Sequence, residues 1–183
     1  MSMSQHLFKV IFFKLGFLAF FLTGCVVTAP LTPQTNVTQL FTLLQSLDEN
    51  ISQDEAMKLS RDIFEHTEKL TKEFNMTSPP LWHNFLVNAG IREKGLCYHW
   101  SDALYVYLSK KQYRSFDFHL MGADIGKYFL EHNVVVVVVK GGKIEDGIII
   151  DPWRNSGKVY FSKVREDTKY LWKHRANRGC KRQ

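Results

Sequence analysis

Residues 132–140 read HNVVVVVVK, six consecutive valines between a histidine and a lysine. Branching at Cβ stiffens valine and suits it to a pleated strand. A run without alternation is apolar on both faces, and a strand buried on both faces belongs in the middle of a sheet. Gly141-Gly142 follows as a hairpin signal. Residues 143–151, KIEDGIIID, then read as the returning strand, ended by Pro152. The chain must therefore supply flanking strands, and the period of the remaining sequence shows where they lie.

Residues 114–121, RSFDFHLM, alternate, with Phe116, Phe118 and Leu120 on one side, the pattern of a half-buried strand. A short strand is expected over 158–161, and a terminal helix carrying Tyr170, Leu171 and Trp172. Upstream the period is helical. Residues 39–47 carry Leu40, Phe41, Leu43, Leu44 and Leu47 in an amphipathic pattern. Ser52-Gln53-Asp54-Glu55 is a capping box that starts a second helix running to about Lys72. Pro79-Pro80 opens a third, PLWHNFLVNA, which Gly90 stops. A fourth runs from Cys97 to about Lys110, with Cys97, Trp100, Ser101, Leu104 and Leu108 on one face. Helices first and an antiparallel sheet afterwards predict an α+β fold.

Cys97 sits at the first turn of this fourth helix, after the loop IREKG. Unpaired first-turn amides and a nearby cation favour a thiolate, whereas burial alone opposes one. The hairpin offers such a cation. If Gly141-Gly142 is a two-residue turn, facing residues sum to 283 and His132 stands opposite Asp151, their Cβ atoms ~4.5–5.5 Å apart. A bulge or an odd-length loop would break that register. An imidazole beside a carboxylate is a base with its orienting group, and the imidazolium stabilises a thiolate. Attack on an acyl carbon would follow, with the Cys97 backbone amide as one oxyanion donor.

The first residues concern address. Residues 8–22, FKVIFFKLGFLAFFL, form an apolar run broken by Lys14, too short when uninterrupted for the ~20 residues of a membrane span. A basic start, a short apolar stretch and small residues describe a secretory signal. Leu22-Thr23-Gly24-Cys25 then resembles the lipobox of bacterial lipoproteins. That resemblance implies removal of residues 1–24, diacylation of Cys25 and a lipid membrane as partner. Val26, rather than Asp, resembles the outer-membrane sorting pattern, with the protein facing the periplasm. Cleavage would leave 159 residues and, with Lys9 and Lys14 lost, lower the net charge from +6 to +4. That length makes one domain, expected over 39–176 after a Thr- and Pro-rich tether at 25–38. A basic tail lies at 177–183. The stretch 173–183, KHRANRGCKRQ, reads as a solvated terminus, and its Cys180 stands outside any apolar period. The charge suits anionic envelope surfaces, not nucleic acid.

Gly95-x-Cys97-Tyr98-x-Trp100 opening a helix, His132 at a strand start and Asp151-Pro152 closing the next strand resemble the transglutaminase-like superfamily, relatives of papain-like cysteine proteases. The resemblance spans about residues 94–153. It implies a Cys-bearing helix packed on an antiparallel sheet, with Cys97, His132 and Asp151 as catalytic triad. A protein or peptide substrate in the envelope and no cofactor are expected, and the spacing of Cys97, His99, His119 and His132 fits no usual metal-ligand pattern. Members include peptidases, amidases, cross-linking enzymes and catalytically silent proteins, so a lipoprotein of this fold that only binds an envelope partner is the alternative. Two departures stand out. Tyr98 follows the cysteine where animal transglutaminases carry Trp, and nothing resembles their calcium-binding acidic loops. Ile91 occupies the place of the papain-like oxyanion Gln, leaving Trp82 or Asn84 as candidate second donors.

Each residue also has a plain structural reading. Cys97 alone is core packing, His132 caps a strand, and Asp151 before proline starts a turn. His119 is the rival base, but no carboxylate is set beside it by register. His99 points about 200° around the helix from Cys97, and Trp153 serves either as a shield over the His–Asp pair or as core.

Overall fold

The computed structural model describes residues 34–127 and 129–175. The signal, the lipobox with Cys25, tether residues 26–33 and Cys180 lie outside them. Four α-helices come first: α1 (Gln34–Gln45), α2 (Gln53–Glu73), α3 (Pro80–Asn88) and α4 (Cys97–Ser109). The strands follow: β1 (Phe116–Ala123), β2 (His132–Val139), β3 (Ile148–Asn155), β4 (Lys158–Lys163) and β5 (Lys173–His174). They form one antiparallel sheet in the order β4-β3-β2-β1-β5. The fold is α+β, as expected. Among the described residues no helix is long and apolar enough to cross a membrane.

The valine strand holds the centre. Val135 and Val137 join Leu40, Leu59, Ile63, Leu104, Leu108 and Ile150 in the core under the helices. Val134, Val136 and Val138 turn the other way, against Met121, Ile149 and the partly buried Ile144, Val164 and Trp172. Period-two alternation divides identical residues between two cores.

Several boundaries differ from expectation. α1 begins at Gln34, inside the stretch read as tether, because Val37, Leu40 and Leu44 bury one stripe against α2. The capping box is half formed: Ser52 Oγ accepts the Glu55 amide, but the Glu55 carboxylate crosses to the Arg114 and Ser115 amides and ties α2 to the approach to β1. Gly90 ends α3 at φ 73° as expected. No terminal helix forms around Tyr170. Residues 167–175 run as an extended strap over the second sheet face, with Asp167 accepting the Lys169 amide and Trp172 packed onto the valines. Residues 173–175, read as loose terminus, are ordered by pairing. His174 faces Met121, Lys173 faces Gly122, and the Arg175 amide donates to the Leu120 carbonyl.

The hairpin register also differs. Residues 144–146 wind into a 3-10 turn that lays Ile144 on the second face. Pairing begins only at Ile148, just after Gly147, where a side chain would strike Val136 and the Val137 carbonyl. Val135 faces Ile150 and Val137 faces Ile148, so facing residues sum to 285, and the direct His132–Asp151 opposition is corrected. The shift is two residues, which preserves the face of every side chain. His132 and Asp151 remain on one face as a diagonal pair.

Candidate active site

Local contacts around the loop before α4 set the position of Cys97. His83 on α3 is fully buried and accepts the Thr77 amide at Nδ1 (3.1 Å), while Nε2–H reaches the Lys94 carbonyl (2.8 Å). Burial lowers its pKa, so the neutral ring that these two roles require is the favoured form. Trp100 Nε1 donates to the Gly95 carbonyl at 3.0 Å, and His99 Nδ1 accepts the Gly95 and Leu96 amides. Gly95 itself has φ 123°, and a Cβ there would lie 2.1 Å from His83 Nε2. His99, on the helix face turned away from Cys97, thus caps the helix start.

Cys97 is a free, buried cysteine at the N-terminal tip of α4. There the side chains of successive β2 residues, which belong to opposite sheet faces, both reach it. Asn133 Nδ2 donates to Sγ at 3.6 Å, and the thiol in turn donates to the Glu131 carbonyl at 3.6 Å.

His132 is 2% exposed. Its Nε2 meets Asp151 Oδ2 at 2.7 Å. Nδ1 makes no well-aligned hydrogen bond among the described residues, yet Cys97 interacts with the ring closely enough to help raise it. With Nε2 committed to Asp151, Nδ1 is the nitrogen left for the thiol. Burial opposes the imidazolium, but hydrogen bonding and charge from Asp151, joined by Cys97, outweigh it and raise the pKa to about 9.

Asp151 is held in turn. Arg154 bonds it through the backbone amide (3.1 Å) and Nε (2.9 Å), and the same guanidinium pairs with Asp167 through both Nη atoms (3.2 and 2.6 Å). Arg154 lies over Tyr160 at 3.8 Å and Tyr170 at 4.9 Å from their ring centroids. Burial opposes its charge, but the two carboxylates hold it protonated above its ordinary range. Trp172 Nε1 adds a bond to Asp167.

Three aromatic rings enclose His132: Trp153, Tyr170 and Trp172, with centroids 4.8, 4.7 and 5.6 Å away. Asn84, suggested as an oxyanion donor, accepts the Trp153 indole N–H at Oδ1 (3.0 Å) and fixes that ring, and Trp82 stacks on Phe85. His119 meets His174 and faces Val136 across the ladder. That is four residues along β2 from His132, about 13 Å.

The structure thus brings Cys97, His132 and Asp151 together and leaves His119 apart. Sequence reasoning missed Asn133, Arg154, Asp167, Tyr170 and Arg175. Arg154 carried a legible signal, since i+3 from Asp151 after a proline is a turn position. The residues of the strap had none, because nothing in their pattern says which face of the sheet they cross.

The arrangement supplies a thiol at a helix N-terminus, a buried imidazole with one nitrogen committed to a carboxylate, and a ring cage that keeps water from that pair. Comparison with protein-family models, with curated proteins and with solved structures finds no match in any of the three.

Proposed function

We propose that the protein is a cysteine hydrolase or acyltransferase of transglutaminase-like type, acting on amide or peptide bonds through Cys97, His132 and Asp151. The observation that carries the reading is His132. It is buried, its Nε2 is bonded to Asp151, and its other nitrogen is without a well-aligned partner beside Cys97. A structural histidine in a core commonly satisfies both nitrogens, as His83 does. Leaving one open is costly unless it is used.

In the proposed reaction the Cys97 proton already rests on His132 Nδ1, as the raised imidazole favours, and the thiolate attacks the carbonyl carbon. The developing oxyanion takes the Cys97 backbone N–H at the start of α4. On collapse the C–N bond breaks, the leaving amine takes the proton from Nδ1, and a thioester remains. Water or a second amine, deprotonated by His132, then resolves it and restores the thiol. Asp151 stays charged and holds Nε2–H throughout, so the ring keeps one orientation. The lipobox-like segment places this chemistry on a lipid-anchored protein of the bacterial envelope, a reading that rests on the sequence alone.

The test is alkylation by iodoacetamide at pH 7, with the label located by mass. Cys97 should react in the folded chain. His132→Ala should slow that reaction by about tenfold or more, the scale of removing a close charge partner, and His119→Ala should leave it unchanged. Labelling of Cys97 only after denaturation would end the nucleophile reading. A mass shift on Cys97 after incubation with envelope peptides would then identify the acyl-enzyme. Its persistent absence, with partner binding intact in Cys97→Ala, would favour the non-catalytic binding protein.

A further inference from the structure

Asn133 follows the catalytic histidine in sequence and faces the other side of the sheet, yet its side chain also meets Cys97. It is 4% exposed, and its Nδ2 stands 3.6 Å from Sγ. Asparagine carries a donor end and an acceptor end, and the neighbours decide which end meets the sulfur. Arg175 can only donate, and its Nη1 lies 2.5 Å from Asn133 Oδ1. Glu131 Oε1 accepts from Asn133 Nδ2 at 3.2 Å. The carbonyl end is thus fixed toward Arg175, and the NH2 end toward Glu131 and the sulfur.

The clamp is itself braced. The Arg175 guanidinium also pairs with Glu131 Oε1, and Glu131 Oε2 accepts the Gly126 amide. Burial opposes the Glu131 carboxylate, but the Gly126 amide, Arg175 and Asn133 together hold it below the usual carboxylate range. Arg175 is positioned by its own backbone bond to Leu120 beside β5. The chain closing the sheet edge therefore determines which end of Asn133 meets Cys97.

We propose that Asn133, oriented by Arg175 and Glu131, is a further catalytic residue whose side-chain amide donates a hydrogen bond to the Cys97 sulfur and stabilises its thiolate. With the Cys97 proton on His132 Nδ1, the sulfur gives up its donation to the Glu131 carbonyl and keeps, now as an anion, the hydrogen bond it accepts from Asn133. No other group changes protonation. A donor aimed at an anion favours the charged form, and hydrogen bonds to charged groups are the strong ones. Arg175 is a positioning residue, acting only through Asn133. The inference rests on Cys97 being a nucleophile, and its test separates the two.

The full chain, carrying Asn133→Ala, Arg175→Ala or His132→Ala, is alkylated with iodoacetamide at pH 6 and pH 10, and the Cys97 peptide is followed by mass. The thiolate forms the S–C bond and iodide leaves, so the rate reports thiolate supply at low pH and access alone at high pH. Asn133→Ala should slow the pH 6 reaction by about tenfold, the worth of one hydrogen bond to a charged group, and leave the pH 10 rate within about twofold. Arg175→Ala should show the same split more weakly. Its side chain reaches solvent, so it carries the test should Asn133→Ala not fold. An unchanged pH 6 rate in folded variants, with His132→Ala still slow, overturns the role of Asn133 and leaves the nucleophile standing. Equal slowing at both pH values marks a packing effect and also overturns it. A wild-type chain no more reactive at pH 6 than its denatured form, and indifferent to His132→Ala, removes the nucleophile and this inference with it.

Discussion

His132 and Gly95 show how much of the site depends on single residues. The imidazole sits at about 9, against an ordinary value of 6.5. A histidine raised by folding stabilises the native state fully below its unfolded pKa and loses that contribution as pH climbs through the folded one. The stability advantage of the wild type over His132→Gln should therefore be greatest below about pH 6.5 and shrink toward pH 9.5, as read by urea unfolding across that range. Parallel pH dependences in the two proteins would contradict the buried imidazolium. Gly95 presents a steric case. Its left-handed backbone and the approach of His83 leave no room for a Cβ. Gly95→Ala should cost about 2 kcal/mol or more and slow Cys97 alkylation, since the loop that sets the start of α4 must shift.

At the scale of elements, the site depends on two pieces that pair weakly or not at all in sequence. The first is the β2–β3 hairpin. Its glycines and its alternating faces were legible, and so was the pairing of His132 with Asp151 on one face. The 3-10 turn at 144–146 was not, because Ile144 leaves the ladder to cover Val136 and Val138, a contact defined only once the second face exists. The second piece is the strap, residues 167–175. It lays Tyr170 and Trp172 on His132, delivers Arg175 to Asn133, and anchors through Asp167 to Arg154. Arg154 is 8% exposed at its side chain. Asp167→Ala would leave that guanidinium with one carboxylate where it had two, and should destabilise the fold by about 3 kcal/mol. Tryptophan emission should shift to the red as Trp172 meets water. A variant of unchanged stability and emission would show that the strap is held by other contacts.

At the scale of the whole molecule, one sheet separates two apolar layers, and its central strands belong to both. Ile150 is fully buried in the core under the helices, and Ile149 fully buried in the second cluster with Ile144, Val164 and Trp172. Either change to Ala should cost about 2–5 kcal/mol. Because the two residues are adjacent on β3, each variant should still unfold in one cooperative transition by both circular dichroism and tryptophan fluorescence. Non-coincident transitions for Ile149→Ala would mean that the second face opens separately, and that the enclosure of His132 can loosen while the helical core stays folded.

The residues alone determined the α+β class, the helix that begins at Cys97, the central valine strand and the face shared by His132 and Asp151. All of these follow from periodicity, capping and turn chemistry, which act over a few residues. Only the tertiary structure decided the diagonal register, the hold of Arg154 and Asp167 on Asp151, and the meeting of Asn133 and Arg175 at the Cys97 sulfur. Those contacts join residues far apart in the chain, and local physics does not say which of two equally apolar sheet faces a distant segment will cover.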